Sequence, residues 1–135
     1  MSSAFKLSEA VSIAIHSMML IAQSTNMMNV IQVSKRLDAS KHHVAKILQR
    51  LVKDDFLNSI RGPKGGFILK KKASEITLYD IYKSIEGELS PEYCVFETKI
   101  CPFDKCIMGV SGNKFTTEFV NYLKSETLDK YQNFK

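Results

Sequence analysis

Three cysteines with the spacing C-x6-C-x4-C lie close together in the second half of the chain: Cys94, Cys101 and Cys106. An odd, clustered set in a chain without an export signal argues against a framework of structural disulfides. Thiolates are soft donors that suit iron–sulfur clusters, and three of them leave one coordination position open. Zinc held with one histidine, metal-free redox thiols and cysteines without a chemical role are the alternatives. The residues alone leave all of these open.

A second segment presents cations on a loop rich in glycine. The β-prone runs Leu57–Arg61 and Phe67–Leu69 flank three glycines, one proline and Lys64. Because glycine reaches positive φ at little steric cost, the segment predicts a tight hairpin with Arg61 and Lys64 at or near its tip. The frame G-x-x-x-x-G-K-[ST] and its following helix are missing, so the loop does not match a nucleotide-binding phosphate loop.

Directly before this hairpin, residues 40–53 predict a basic amphipathic helix. Its apolar positions follow the spacing i, i+3, i+4, i+7 and form one inward stripe: Val44, Ile47, Leu48 and Leu51. The opposite and flanking positions are basic or hydrogen-bonding: His42, His43, Lys46, Gln49, Arg50 and Lys53. An ordinary surface helix with a solvated face is the alternative for this segment taken alone.

A shorter helix and a turn precede that segment. Val30–Leu37 predicts a helix with Ile31, Val33 and Leu37 available for the core, and Ser40 is a good N-cap after the turn. A short helix, a tight turn and a helix with a basic outer face make a helix-turn-helix. Followed by a cationic hairpin, this order indicates a winged helix-turn-helix that binds DNA.

The charge distribution supports a polyanionic partner for the first half. The 135 residues carry a net charge of +5, but residues 1–73 hold 12 lysines and arginines against 4 acidic residues, whereas residues 74–135 hold 7 against 10. A basic half suits nucleic acid, and chance asymmetry on a solvated surface is the alternative. The most apolar stretch is too short to cross a bilayer, so we expect no membrane association and a cytoplasmic location.

The remaining pattern predicts three more elements. A first helix spans Lys6–Gln23 and starts at Ser8 or Lys6, and Thr77 caps a fourth helix that Gly87 stops. A final helix over about 113–128 carries large side chains on one face: Phe115, Phe119, Tyr122 and Leu123. These must pack either on their own domain or in a dimer interface.

The elements together predict a mainly α chain with one small β-hairpin wing and a long C-terminal dimerisation helix. We divide it into a winged helix-turn-helix DNA-binding domain over 1–87, a cysteine-containing sensor loop over 88–112, and a C-terminal dimerisation helix with its tail over 113–135.

With these pieces in place, the chain resembles the winged-helix regulators of the IscR/NsrR/CymR family, the Rrf-two class. The matching segments are Lys6-Leu7-Ser8 with Ala14-Ile15-His16, the wing from Arg61 to Phe67, Ile76–Ile81 running to Ile85-Glu86-Gly87, the cysteine loop, and Phe119–Leu123 with Thr127-Leu128. The resemblance covers nearly the whole chain, and its most specific parts are the glycine wing and the Ile-Thr-Leu-x-Asp-Ile segment.

This resemblance implies a homodimeric bacterial transcription factor that places its recognition helix in the major groove and its wing in the minor groove of double-stranded DNA. It also implies an iron–sulfur cluster of undefined type held by Cys94, Cys101 and Cys106, with His16 from the first helix of the partner subunit as the candidate fourth ligand and Glu9 as the alternative. The implied DNA-binding residues are Ser40, Lys41, His42, His43, Lys46 and Arg50 in the helix, and Arg61, Gly62, Pro63, Lys64 and Gly65 in the wing.

We therefore expect a repressor or dual regulator that senses redox state, nitric oxide or iron–sulfur status on a pseudo-palindromic operator. A cluster-free winged-helix regulator that responds to a small molecule, zinc or a partner protein is the alternative. A thiol-redox enzyme is a remote one, because the chain has neither C-x-x-C nor H-E-x-x-H.

Overall fold

The structure is a computed structural model that describes residues 7–90, 102–104, 107 and 109–131. It is mainly helical with one two-stranded antiparallel hairpin, as the sequence predicts. The helices are α1 Glu9–Gln23, α2 Val30–Leu37, α3 Lys41–Lys53, α4 Leu78–Glu86 and α5 Gly109–Ser125, and the strands are β1 Leu57–Ile60 and β2 Gly66–Leu69. Short 3-10 turns lie at Ala73–Glu75 and Leu128–Tyr131.

The first four helices each begin at a polar side chain that accepts a hydrogen bond from an otherwise unpaired backbone N–H: Ser8, Asn29, Ser40 and Thr77. Two of these caps are reciprocal, because the Gln32 and Asp80 side chains also accept hydrogen bonds from the N–H groups of the cap residues. The predicted starts at Ser40 and Thr77 are confirmed, and of the two starts predicted for α1, Ser8 is its N-cap.

The hydrophobic core forms where α1 packs against α3 and α4. The apolar stripe predicted for α3 is buried along its whole length, and Val44, Leu48 and Leu51 are fully buried. Ile31, which we expected to be available for the core, is instead 48% exposed. Val33 is fully buried, and residues two apart on a helix point to different sides, so both cannot face inward.

The C-terminal helix differs from its predicted bounds. It begins at Gly109, inside the expected cysteine loop, and ends at Ser125, so Leu128 lies in a 3-10 turn. The chain leaves the helix to form a short antiparallel bridge, with Leu78 N–H donating to Glu126 O at 2.9 Å and Leu128 N–H donating to Ile76 O at 3.1 Å. This bridge buries the Leu128 side chain almost completely.

None of the described helices has the length and apolar character that a membrane span requires.

Candidate nucleic-acid interface

The outer face of α3 is a row of solvent-exposed cationic and hydrogen-bonding side chains. Its members are Lys41, His42, Lys46, Gln49 and Arg50. The buried stripe on the opposite side fixes the rotation of this helix, so the exposed row cannot turn inward without exposing Leu48 and Leu51. Ser40 is exposed at the start of the helix, where its Oγ accepts a hydrogen bond from His43 N–H at 3.4 Å.

His43 is placed differently from the other predicted contacts of this helix. Its side chain is 36% exposed, and its Nδ1 lies 3.8 Å from Glu9 Oε1 in the first turn of α1. A protonated His43 would form an ion pair there. The structure therefore separates His43, which faces α1, from the row that faces solvent.

The predicted hairpin forms the wing, and two of its glycines are sterically required. Gly62 has a φ of +117°, and Gly65 N–H donates to Gly62 O at 2.9 Å across the turn. A Cβ on Gly65 would lie 2.1 Å from the Ile60 carbonyl oxygen. Along the outer edge of the turn, residues 61–64 are all exposed, so both predicted cations of the wing are open to solvent.

The wing is fixed to the chain just before α2 by a contact that the sequence analysis missed. Met28 and Phe67 exchange two backbone hydrogen bonds, of 2.8 and 3.3 Å. A Cβ on Gly66 would lie 2.7 Å from Met28 O, so this approach needs glycine at that position. A second glycine directly after Gly65 was the available signal, because glycine within a strand often marks close approach by another backbone. The helix-turn-helix and the wing therefore share one rigid frame.

Several nearby cations are already engaged within the protein. Lys70 Nζ lies 2.7 Å from Asp55 Oδ1, and this contact lowers the pKa of the Asp55 carboxyl group. Lys71 Nζ lies 5.0 Å from the centre of the Phe56 ring. Arg50 Nε donates to Asp54 Oδ2 at 3.1 Å. By contrast, the predicted DNA contacts Lys41, Lys46, Arg61 and Lys64 form no ion pair within the described chain.

Two further cations were not assigned by the sequence analysis. Lys35 and Arg36 are exposed in the last turn of α2, next to the turn that leads into α3. Cations in this position stabilise the C-terminal end of a helix dipole. They also add positive charge to the helix that crosses the DNA backbone in helix-turn-helix proteins.

Of the predicted metal ligands, the structure describes His16 but not the three cysteines. Cys94, Cys101 and Cys106 lie outside the described residues, and no group of three metal-ligating side chains forms among those that are described. His16 is exposed on α1 rather than buried in the core, and its Nδ1 lies 2.6 Å from the Ser12 carbonyl oxygen. A carbonyl only accepts, so Nδ1 carries the proton and neutral His16 keeps the lone pair of Nε2 for a ligand. Soft thiolates with one such nitrogen are a donor set that suits iron–sulfur or zinc.

The face predicted on the C-terminal helix is split between the core and solvent. Leu123 is buried, and the Phe119 ring packs edge-on against Tyr82 of α4, with centroids 6.0 Å apart at 88°. Phe115 and Tyr122 remain 52% and 53% exposed. One part of the face therefore anchors α5 to its own domain, and these two aromatic side chains keep about half of their surface open to solvent.

Comparisons with known proteins agree with this geometry. Residues 7–133 match the family model Rrf2, whose description is iron-dependent transcriptional regulator. The Bacillus subtilis protein YwgB is 42% identical over 55 residues, which are 41% of this chain and 35% of that protein. The HTH-type transcriptional regulator IscR of Pectobacterium atrosepticum is 25% identical over 103 residues, which are 76% of this chain and 63% of that protein. The chain thus spans less than two thirds of either relative.

A solved structure extends the likeness over the whole fold. The structure of CymR, the global cysteine regulator of B. subtilis, matches with a TM-score of 0.81 at 22% identity, covering 95% of this chain and 96% of that chain. The named relatives are transcriptional regulators and not enzymes. Because the family model matches residues 7–133, which is nearly the whole chain, the protein belongs to the Rrf2 family of winged-helix, DNA-binding transcriptional regulators.

Proposed function

We propose that the chain acts as a homodimer that grips a pseudo-palindromic operator, and that its DNA binding responds to an iron–sulfur cluster held by Cys94, Cys101 and Cys106. The observation that carries the DNA-binding part is the exposed row on α3, in which Lys41 and Lys46 have no ion-pair partner within the described chain, beside a wing held by the contact between Met28 and Gly66. A rigid pair of reading elements contacts two grooves at once with little loss of conformational freedom.

Specific roles follow from placement. Lys41, Lys46 and Lys64 neutralise phosphates, and Arg50 does so when it is released from Asp54. His42 and Lys46 reach base edges in the major groove, where lysine favours the acceptors of guanine. Arg61 enters the minor groove, where narrow A·T-rich sequence concentrates negative potential. Ser40, Gly62, Pro63 and Gly65 complete the contact surface, and His43, which faces Glu9 of α1, lies at its edge. Lys46→Ala should reduce the preference for the operator over random DNA, and an unchanged preference would contradict the base-reading role.

The dimer is supported by the exposed aromatics of α5. Phe115 and Tyr122 lie on the helix that already uses Phe119 and Leu123 to hold its own domain. Burying them against a second copy removes apolar surface from water, at roughly 25 cal/mol per Å². Phe115→Ser should shift the molar mass measured by light scattering towards one protomer, whereas Phe103→Ser, outside α5, should not.

The sensing role is supported by the family description, which names iron, and by the three soft thiols. A cluster supplies reactivity towards oxidant and nitric oxide when bound. In this chain, His16 would offer Nε2 as the fourth ligand, with its ring held by the Nδ1 hydrogen bond to Ser12 O.

Anaerobic purification followed by iron and sulfide analysis tests this proposal. We expect stoichiometric iron and sulfide and a visible absorption that Cys94→Ala abolishes, while His16→Ala alters the spectrum and increases the sensitivity of the cluster to air. Zinc without sulfide, or no metal under strict anaerobiosis, would overturn the cluster and leave the DNA-binding role to be judged by its own assay.

A further inference from the structure

A chain of two hydrogen bonds connects the end of the recognition helix to α4. Asp54, the residue that caps the C-terminal end of α3, accepts through a single oxygen, Oδ2, from two groups. Arg50 Nε donates to it at 3.1 Å from within α3, and Ser84 Oγ donates to it at 2.5 Å from α4. Ser84 is buried, so its hydroxyl group has little access to water as an alternative partner.

The Arg50–Asp54 contact changes what the recognition helix offers to DNA. Arg50 is half exposed on the flank of the outer face, yet its charge is balanced by a carboxylate 3.1 Å away. The pair is close to neutral, so it attracts a phosphate less strongly than a lone cation does. Lys41 and Lys46 on the same helix have no such counter-charge within the described chain.

The Ser84–Asp54 contact makes that balance depend on a second element. Ser84 lies in the last turn of α4, three residues before Gly87, where the chain enters the segment that carries the three cysteines. The other end of α4 is tied by backbone hydrogen bonds to the segment after α5. A displacement of α4 therefore lengthens or breaks the bond from Ser84 and frees the Asp54 carboxylate to move.

We propose that the Ser84–Asp54–Arg50 chain regulates DNA affinity: Asp54 withholds Arg50 from the phosphate backbone, and Ser84 makes this restraint depend on the position of α4. Asp54 and Ser84 are positioning residues that act through Arg50. The inference rests on the proposed DNA-binding function. It adds a path by which a change at the end of α4, next to the segment with the cysteines, alters the DNA contacts of α3. A coupling route of this kind requires a direct test of coupling between its members.

The first test measures binding of the full-length protein to a random-sequence duplex as salt is varied. Asp54→Asn keeps the shape of the side chain but releases Arg50, so the log–log slope should steepen by about 0.9 for each protomer. Between about 50 and 200 mM salt this makes the loss of affinity about 3.5-fold larger per protomer, or about 12-fold for a dimer. Thermal unfolding of each variant confirms that it is folded.

Two matched variants separate the release of Arg50 from simple removal of negative charge. Asp38→Asn removes the same charge from an exposed residue of the same domain, at a left-handed position that asparagine also adopts. It should change the slope by less than half as much. The double variant Arg50→Gln/Asp54→Asn should lose the gain. An equal effect of Asp38→Asn, or a gain that persists without Arg50, overturns the proposal.

The second test addresses α4. Ser84→Ala should steepen the slope in the same direction as Asp54→Asn but less, and should add nothing in the Asp54→Asn background. Additive effects, or a Ser84→Ala slope equal to that of the unaltered protein, overturn the link to α4. If the unaltered protein does not bind duplex DNA even at low salt, the proposed function and this inference both fail. If the unaltered protein binds DNA and only the variants behave differently from expectation, this inference fails and the proposed function stands.

Discussion

The salt dependence of DNA binding identifies which lysines face the duplex, because each phosphate that a cation neutralises releases counterions. The informative change is Lys64→Gln at the wing, which removes an exposed cation without an ion-pair partner in the described chain. The matched control is Lys70→Gln, just after the wing. Its charge is already balanced by Asp55 at 2.7 Å.

The expected magnitude follows from the number of free cations. Lys41, Lys46, Arg61 and Lys64 give about eight phosphate contacts in the proposed dimer, and hence a log–log slope of about −7 at roughly 0.9 per contact. Affinity should then fall about 2 × 10⁴-fold between about 50 and 200 mM salt. Lys64→Gln removes two contacts, which leaves a slope of about −5.4 and a fall of about 2 × 10³-fold.

Fluorescence anisotropy of a labelled random-sequence duplex, titrated at several salt concentrations, measures these slopes directly. Lys70→Gln should leave the slope nearly unchanged, because the charge it removes is already balanced. If the two variants flatten the slope equally, ion pairing within the protein does not decide which cations contact DNA. The assignment of Lys41, Lys46, Arg61 and Lys64 as the contacting cations would then be wrong.

Three further changes test the frame of this interface. Gly65→Ala places a Cβ 2.1 Å from Ile60 O, so we expect weaker DNA binding with an unchanged helical circular-dichroism signal. Gly62→Ala should also weaken binding, because a φ of +117° disfavours an L side chain although its Cβ meets no atom within 4 Å. Leu48→Ala leaves a cavity under α3 and should lower the free energy of unfolding by about 2–5 kcal/mol in urea titrations; a loss of well under about 1 kcal/mol would contradict its burial. Lys70 lowers the pKa of Asp55 from its ordinary value of 3.8, so their contact stabilises the fold at pH values above 3.8. This stabilisation is lost as the pH falls through the lowered pKa of the folded state, and Asp55→Asn should remove this part of the dependence of Tm on acidic pH.

Elements whose ends are encoded by neighbouring residues could be predicted from the sequence. The starts of α3 and α4 follow from Ser40 and Thr77, since a cap and the N–H groups it satisfies lie within one turn. The burial of the α3 stripe follows from its spacing. The exposed cation row is the necessary complement of that stripe, which is why the solvent-facing side of this helix could be predicted from the sequence.

Features that depend on distant residues could not be predicted in this way. The Met28–Phe67 bridge joins backbone atoms whose pairing carries no side-chain signature, apart from the absence of a Cβ at Gly66. The end of α5 at Ser125 is set by pairing with Ile76 and Thr77, not by a local breaker. The Arg50–Asp54 pair has the i,i+4 spacing of a helical ion pair, which the sequence shows, whereas only the fold brings Ser84 to the Asp54 carboxylate.

Two of these distant contacts, the bridge after α5 and the Ser84–Asp54 hydrogen bond, involve α4, and this placement constrains how a signal can move through the molecule. The helix packs against α1, α3 and α5. Its C-terminal end is held by the hydrogen bond from Ser8 Oγ to Glu86 at 2.5 Å, and its N-terminal end by the bridge between Thr77 and Thr127. A rearrangement of α5 or of the segment after Gly87 must therefore either break these ties or carry α4 along. Because Ser84 joins α4 to the end of the recognition helix, any displacement that carries α4 along also changes the contact that restrains Arg50.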